Sequence, residues 1–201
     1  MTYMMGHVTS TSADHLDTAV AEMLRLLVPV QDRDWDVPAG ELDWTCRETA
    51  AHVAHDLLAY AAQVTSGAPD AYLPLDLEVR PATAPDVVLR IVAACGGLLS
   101  AALRTAGPGA RAWHWGPTDP SGFAALGVNE ILVHTWDIAQ GLGLSWTPPP
   151  DLCAAVLARL FPDAPSGDPV QALLWCTGRI ALPDRRRLTD WKLKAANGGR
   201  T

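Results

Sequence analysis

Two segments of the chain carry closely spaced side chains that can bind a metal or transfer a proton. In the later segment Glu130 and His134 are four residues apart, and Asp137 follows three residues further on. On a helix all three would share one stripe, because residues three and four positions apart are neighbours there. A Glu and a His one turn apart can both reach a single divalent cation, at about 2.1 Å from the metal.

The segment around Glu130 is apolar on nearly every side, which predicts a buried helix from about Ser121 to Gly141. A carboxylate in such a helix needs a partner, because desolvating it alone costs several kcal/mol. A metal cation would supply one. A Glu–His⁺ pair within the helix, or a hydrogen-bonded core histidine, is the alternative, and the spacing leaves it open.

A catalytic metal usually takes three protein ligands and keeps one position open, so a third ligand should come from another helix. The earlier segment offers His52 and His55. By steps of about 100° per residue, however, His52 lies nearly opposite the apolar stripe of its helix. Periodicity therefore predicts that His52 is solvated, unless that face lines an open cleft.

The apolar spacing is helical almost throughout, and no segment shows the alternation of a good strand. Four long helices with polar connectors predict an up-down bundle. The second helix opens with a capping box formed by Thr45 and Glu48, and Gly96 and Gly97 in the third allow a close neighbour. The predicted helices span Ser12–Val28, Thr45–Val64, Thr83–Ala106, Ser121–Gly141, Pro150–Leu160 and Pro169–Arg179.

Composition excludes several classes of protein. Of the 201 residues 49% are hydrophobic and 18% are charged, which argues against disorder, and the net charge of −7 argues against general nucleic-acid binding. From Arg179 onward the chain is basic instead, and this tail could lie on the acidic body, bind an anion or be solvated. The N-terminal residues resemble no secretory signal, and we expect no membrane span. Four dispersed cysteines are expected to be reduced core residues of a cytoplasmic protein.

Two motifs resemble the DinB-like superfamily, and in particular the mycothiol-dependent maleylpyruvate isomerase family. They are DWTCRETAAHVAHDLLAY (Asp43–Tyr60) and GVNEILVHTWDIAQGLG (Gly127–Gly143). The segment LLWCTGRIALPDRRRLTDW (Leu173–Trp191) is similar to the ending of shorter members. The resemblance implies an all-α fold, with a metal-binding four-helix bundle over residues 1–145 and a short helical C-terminal extension with a basic tail over 146–201.

The resemblance also implies roles for individual residues. It assigns a divalent metal, often zinc, to His52, Glu130 and His134. For His52 this disagrees with the helical periodicity, which predicts a solvated side chain. Asp137 matches the family's Asp and could orient His134, although a structural hydrogen bond to backbone is an alternative. Arg179 lies where an arginine can face the site and bind a carboxylate, unless it is only a helix-end cation. His55 is outside the family pattern and is an acid/base candidate or an exposed neighbour.

The family implies mycothiol as cofactor or as transferred thiol, acting on a small electrophilic substrate by isomerisation or S-transfer. Coordination to a divalent cation would deprotonate a thiol that is otherwise mostly protonated at neutral pH. The alternatives are a thiol-independent metal-dependent isomerase, cyclase or hydrolase and a non-catalytic metal-binding bundle. The expected partners are the substrate and the low-molecular-weight thiol, without nucleic acid or membrane, and a homodimer stays open. Fewer residues follow the fourth helix than in maleylpyruvate isomerases, so the resemblance says less about the substrate than about the metal.

Overall fold

The computed structural model describes residues 11–76 and 78–196. Most of the secondary structure in this part is helical, which confirms the all-α prediction. The N-terminal residues on which the expectation of no secretory signal rests lie outside the described part. The helices are α1 (Ala13–Leu27), α2 (Cys46–Ser66), α3 (Pro85–Thr105), α4 (Pro120–Gly141), α5 (Pro150–Leu160) and α6 (Pro169–Cys176).

The four long helices form a bundle in which α1 and α2 each pack against both α3 and α4. Helices α1 and α2 therefore lie on a diagonal and are not neighbours. The predicted up-down order is wrong in this respect, because such an order places consecutive helices side by side. A long connector between α1 and α2 makes the crossing, and α5 and α6 extend the bundle from α4 outward.

The connector between α1 and α2 crosses the C-terminal end of α4. It begins with a 3-10 helix at Val28–Val30 and buries Trp35, which is 2% exposed. Gly141 of α4 makes the crossing close, because a Cβ at that position would lie 2.3 Å from the carbonyl oxygen of Pro38. The guanidinium of Arg33 also donates to the carbonyl oxygen of Leu142. The start of α2 is thereby held beside α4.

The ends of the helices follow local signals, with one correction. The capping box of α2 is present as predicted, since Thr45 accepts from the N–H of Glu48 and the Glu48 carboxylate accepts from that of Thr45. Helix α6 ends at Cys176 and not at Arg179. Gly178 has a φ of +70°, a left-handed conformation that favours glycine and stops the helix.

A short antiparallel ladder precedes α4, although no strand was predicted there. Strand β1 (Ala112–Trp113) pairs with β2 (Pro117–Thr118). Two consecutive residues of the turn, Trp115 and Gly116, have positive φ angles of 53° and 139°. A ladder of two residues is too short to produce an alternating hydrophobic pattern, so periodicity does not reveal it.

Helix α4 is buried on nearly all its faces, as predicted, and α3 packs closely against α1. Gly96 confirms the expected close approach, since a Cβ there would lie 2.7 Å from a methyl carbon of Val20. At Gly97 no neighbouring helix lies within 4 Å of the same position, so this glycine does not allow a close approach. All four cysteines are free and buried, as expected of core residues.

Helix α3 is long and apolar enough to cross a membrane, judged by length and composition alone. The buried core helix of a water-soluble protein meets the same criterion, and half of this apolar window is buried inside the bundle. The expected lack of a membrane partner therefore stays a prediction.

Much of the basic tail lies on the acidic body. Arg187 pairs with Glu41 of the connector, and Lys194 pairs with Asp163 at 2.7 Å. The guanidinium of Arg159 donates to the carbonyl oxygen of Ala195 at 2.7 Å, which holds that residue against α5. The sequence left open whether the tail lies on the acidic body, binds an anion or is solvated, and these residues contact the body.

Candidate metal centre and cavity

Three predicted ligands meet between α2 and α4. The carboxylate of Glu130 lies 3.3 Å from Nε2 of His134 and 3.6 Å from Nε2 of His52. The three donor atoms all lie within 4.8 Å of one another. Two ligand atoms at about 2.1 Å from a tetrahedral ion would be about 3.4 Å apart. The side chains therefore fit one small divalent cation.

His52 reaches this centre despite its place opposite the apolar stripe of α2. Its side chain is 29% exposed, so the face that it occupies lines a cleft and is not fully solvated. The ring of Trp44, which precedes the helix, lies 4.8 Å from the His52 ring and 6.5 Å from the His134 ring. Trp44 covers one side of the centre, and the sequence marked it only as part of the family motif.

Glu130 and His134 each alter the pKa of the other. Burial alone would raise the pKa of Glu130, but hydrogen bonds from His134 and His52 outweigh it and lower the pKa well below the usual range. Burial would lower the pKa of His134, yet hydrogen bonds to Asp137 and Glu130 raise it to about 9. A cation bound at this centre would compete with the proton of His134, because a histidine binds metal as the neutral imidazole.

Asp137 contacts His134, and its expected role in orienting that ring stays a prediction. Its carboxylate lies 3.0 Å from Nδ1 of His134, which leaves Nε2 directed to Glu130. A histidine that binds a metal usually donates its other ring N–H to such an acceptor, which sets the tautomer and the ring orientation. The Asp137 side chain is only 3% exposed, so it needs a cationic partner of its own.

That partner is Arg179. Its guanidinium binds both carboxylate oxygens of Asp137, at 2.7 and 3.2 Å, and donates to the carbonyl oxygen of Thr177. The ring of Trp191 lies 5.9 Å from the guanidinium carbon. Arg179 lies behind the predicted metal ligands, and its expected contact with a substrate carboxylate stays a prediction.

A second group of ligand atoms adjoins the first and shares His52. It contains His55 and Asp56, both only partly buried. Nδ1 of His55 lies 2.9 Å from the Asp56 carboxylate, whose other oxygen is 3.5 Å from His52. Burial, and then the negative charge of Glu130, raises the pKa of Asp56. Asp56 was not among the residues to which the sequence analysis gave a role.

Two cavities open beside the centre. One, of about 580 Å³, is lined by Tyr60, His114, Trp115, Glu130, Trp191, Lys192 and Leu193. The other, of about 310 Å³, extends between α2 and the 68–76 connector, and its lining includes His55, Asp56, Tyr60, Tyr72 and His114. Only Glu130 of the predicted ligands lines the larger cavity, so a bound small molecule there would contact the centre through it.

The polar side chains of α2 lie along one stripe of the helix. His52, Asp56 and Tyr60 are spaced four residues apart, and the hydroxyl of Tyr60 donates to Asp56 at 3.4 Å. Gln63, one turn further, donates to the carbonyl oxygens of Ala68 and Ala71. This buried amide holds the connector that walls the smaller cavity. The four-residue spacing was the available signal for this polar stripe.

Comparison with known proteins supports the resemblance. No curated protein and no solved structure matches the chain. Residues 16–139, which contain α1 to α4 almost completely, match the family described as the mycothiol maleylpyruvate isomerase N-terminal domain. That match includes His52, Glu130, His134 and Asp137 but neither Arg179 nor the C-terminal wall of the cavity. The four-helix bundle of this chain belongs to the mycothiol maleylpyruvate isomerase N-terminal domain family.

Proposed function

We propose that the protein is a metal-dependent enzyme that uses mycothiol on a small electrophilic substrate, by isomerisation or by S-transfer. The observation that supports it best is the convergence of His52, Glu130 and His134 beside an open cavity. The family of the bundle, named for a mycothiol-dependent isomerase, supports the choice of thiol. The cytoplasmic location and the absence of nucleic-acid and membrane partners remain part of this proposal.

One divalent cation would be held by two imidazoles and one carboxylate, a donor set that suits zinc. When bound, the cation would lower the pKa of a coordinated mycothiol thiol and so supply a thiolate for attack on an electron-poor carbon. Three protein ligands would leave a coordination position for that thiol.

The remaining residues would keep the ligands in place and manage protons. Arg179 binds Asp137, and Asp137 would in turn keep Nε2 of His134 available to hold the cation. Asp56, whose pKa is raised by burial and by Glu130, is suited to exchange a proton with a thiol or a substrate. His55 lies within hydrogen-bond distance of the Asp56 carboxylate and would orient it.

The test of the metal centre is elemental analysis of the purified protein and of three histidine variants. We expect His52→Ala and His134→Ala to lose the metal, with affinity reduced roughly 100-fold or more. His55→Ala is the matched control, because His55 belongs only to the second group of ligand atoms. Retention of the metal by His134→Ala, or loss of it by His55→Ala alone, would overturn the assignment.

The test of the thiol uses the cobalt-substituted protein. Addition of mycothiol should change the visible absorption of the cobalt, because a thiolate would enter its coordination sphere. An unchanged spectrum at millimolar thiol would favour a thiol-independent metal-dependent isomerase, cyclase or hydrolase. A metal site that binds neither thiol nor water in an exchangeable position would favour a non-catalytic binding bundle.

A further inference from the structure

A second set of metal-binding side chains lies on α2 beside the proposed centre. We call His52, His55 and Asp56 the outer group, and we call His52, Glu130 and His134 the inner centre. The donor atoms of the outer group also lie within 4.8 Å of one another. Its residues all belong to about one turn of α2, so the outer group forms without a contribution from another helix. His52 belongs to both sets.

The outer group is the more accessible of the two. The His55 side chain is 34% exposed, whereas that of Glu130 is 13% exposed and that of His134 is 10% exposed. His55 and Asp56 line the smaller cavity, between α2 and the 68–76 connector, and neither Glu130 nor His134 is among the described residues that line it. A cation that arrives through this cavity therefore meets the outer group first.

The charges of the two cavities favour this route. Two carboxylates, those of Asp56 and Asp76, line the smaller cavity and attract a cation. The larger cavity also reaches Glu130, but Lys192 is part of its lining, and the positive charge of that side chain repels a cation. A divalent cation is therefore expected to enter from the side of the outer group.

His52 is placed to hold an ion in either position. Its Nε2 lies 3.5 Å from an oxygen of Asp56 and 3.6 Å from an oxygen of Glu130. Both distances are close to the roughly 3.4 Å that separates two ligand atoms on one tetrahedral ion. One imidazole nitrogen binds one ion at a time, so the two positions would be occupied in turn and not together.

We propose that the outer group is an entry site for a divalent cation, from which the ion passes to the inner centre without leaving His52. The hydrogen bond between His55 and Asp56 would open to admit the ion. As the ion moves inward, its bond to Asp56 breaks and a bond to Glu130 forms. The bond to His55 is replaced in the same way by one to His134. Each ligand that is lost is therefore replaced by one of the same kind.

Stepwise replacement of ligands avoids a large desolvation cost. Direct binding at the buried inner centre would strip the hydrated ion of its water in one step, and the removal of a charge from water is expensive. The inference rests on the metal of the proposed function but not on its thiol. After the ion has moved inward, Asp56 is free for the proton exchange proposed above.

The first experiment measures the rate of zinc uptake by metal-free, full-length protein and the rate of zinc release to excess chelator. We expect His55→Ala to slow both rates about tenfold, with unchanged equilibrium affinity. Both rates fall together because the ion leaves by the route through which it enters. Asp56→Asn is an independent variant with the same expected slowing. His15→Ala removes another partly buried histidine, on α1, and as the matched control should leave both rates unchanged.

The second experiment detects the outer group in a variant whose inner centre is broken. His134→Ala is expected to lose its tightly bound metal. At about millimolar cobalt it should still bind the ion weakly through the outer group, because that concentration is enough for an affinity of roughly 4 kcal/mol. The visible absorption of the cobalt reports this binding. We expect the double variant His134→Ala/His55→Ala to lose it.

The outcomes separate the entry site from the proposed function. Equal uptake rates in the parent protein and His55→Ala, or equal cobalt binding by the single and double variants, would overturn the entry site. A large loss of equilibrium affinity in His55→Ala would also overturn it, because His55 would then belong to the inner centre. Slower zinc uptake together with a cobalt spectrum that does not respond to mycothiol would support the entry site and refute the thiol part of the proposed function.

Discussion

Helices α2 and α4 both carry a stripe of ionisable residues into the centre of the bundle, but the two stripes differ in burial. On α4, Asp137 is 3% exposed and His134 is 10% exposed. On α2, Asp56 is 18% exposed and His52 is 29% exposed. Helix α4 contributes groups that the fold must pair internally, whereas α2 contributes groups that face a cleft. The fold therefore requires the ionisable residues of α4 to be paired with one another, whereas those of α2 remain accessible to a ligand.

The sharpest way to test this difference is the same substitution on each helix, in metal-free protein. Asp137→Asn should lower the free energy of unfolding by about 3 kcal/mol, because it leaves the buried cation of Arg179 without its counter-charge. Asp56→Asn should have no cost or a small gain, since burial and the charge of Glu130 already disfavour the Asp56 carboxylate. Urea unfolding with chelator present measures both. Equal losses would mean that the two stripes are equally structural.

The N-terminal cap of α4 is likewise more buried than that of α2. Asp119 caps α4 through the N–H of Gly122 and pairs with Arg159 at 3.1 Å, whereas the capping box of α2 is exposed. Burial would raise the pKa of Asp119, but these bonds and that of Ser121 lower it to about 2. We expect Asp119→Asn to cost about 1 kcal/mol near pH 6, more than Glu48→Gln in the exposed box of α2.

The pH dependence of that cost follows from the sign of the shift. The pKa of Asp119 in the folded state lies below the unfolded value of 3.8, so the ionised carboxylate stabilises the fold at pH values above about 4. The contribution falls as the pH drops from there toward 2. Chemical unfolding at pH 6 and pH 3 should therefore show a smaller difference between the parent protein and Asp119→Asn at pH 3. A difference that grows on acidification would contradict the assignment.

The smallest expected effect tests packing on the neighbouring helix α3. Gly97→Ala should stabilise the protein by about 0.5–1 kcal/mol, because alanine favours the helix and nothing lies within 4 Å of the new methyl group. Gly96→Ala has the same gain in propensity but meets Val20 at 2.7 Å. Thermal unfolding of the two variants should rank Gly97→Ala above Gly96→Ala. The reverse order would mean that α1 and α3 are less closely packed than the structure indicates.

Helix α4 shows how much of the site the sequence can predict. Its apolar faces predicted burial, and the spacing of Glu130, His134 and Asp137 predicted a shared stripe, because both properties belong to one continuous helix. The contact between Asp137 and His134 also joins residues three positions apart, although its expected role came from the family resemblance and stays a prediction. Those predictions required no knowledge of what packs against α4.

His52 shows where the same reasoning fails. Its position opposite the apolar stripe predicted solvent, and only the family resemblance assigned it to the metal. Periodicity separates an apolar face from a polar one, but a polar face that lines a cleft has the same pattern as one in open water. Arg179 was ambiguous for a related reason, since its bond to Asp137 joins residues 42 positions apart.

The helices, the capping box of α2 and the stripe of α4 could be predicted from the sequence, because these depend on residues within one or two turns of each other. Only the tertiary structure decided that α1 and α2 lie diagonally, that the polar face of α2 meets α4 across a cleft, and that the C-terminal segment walls the cavity. Those features depend on contacts between distant parts of the chain, and residue spacing carries no information about which distant surface a given face will meet.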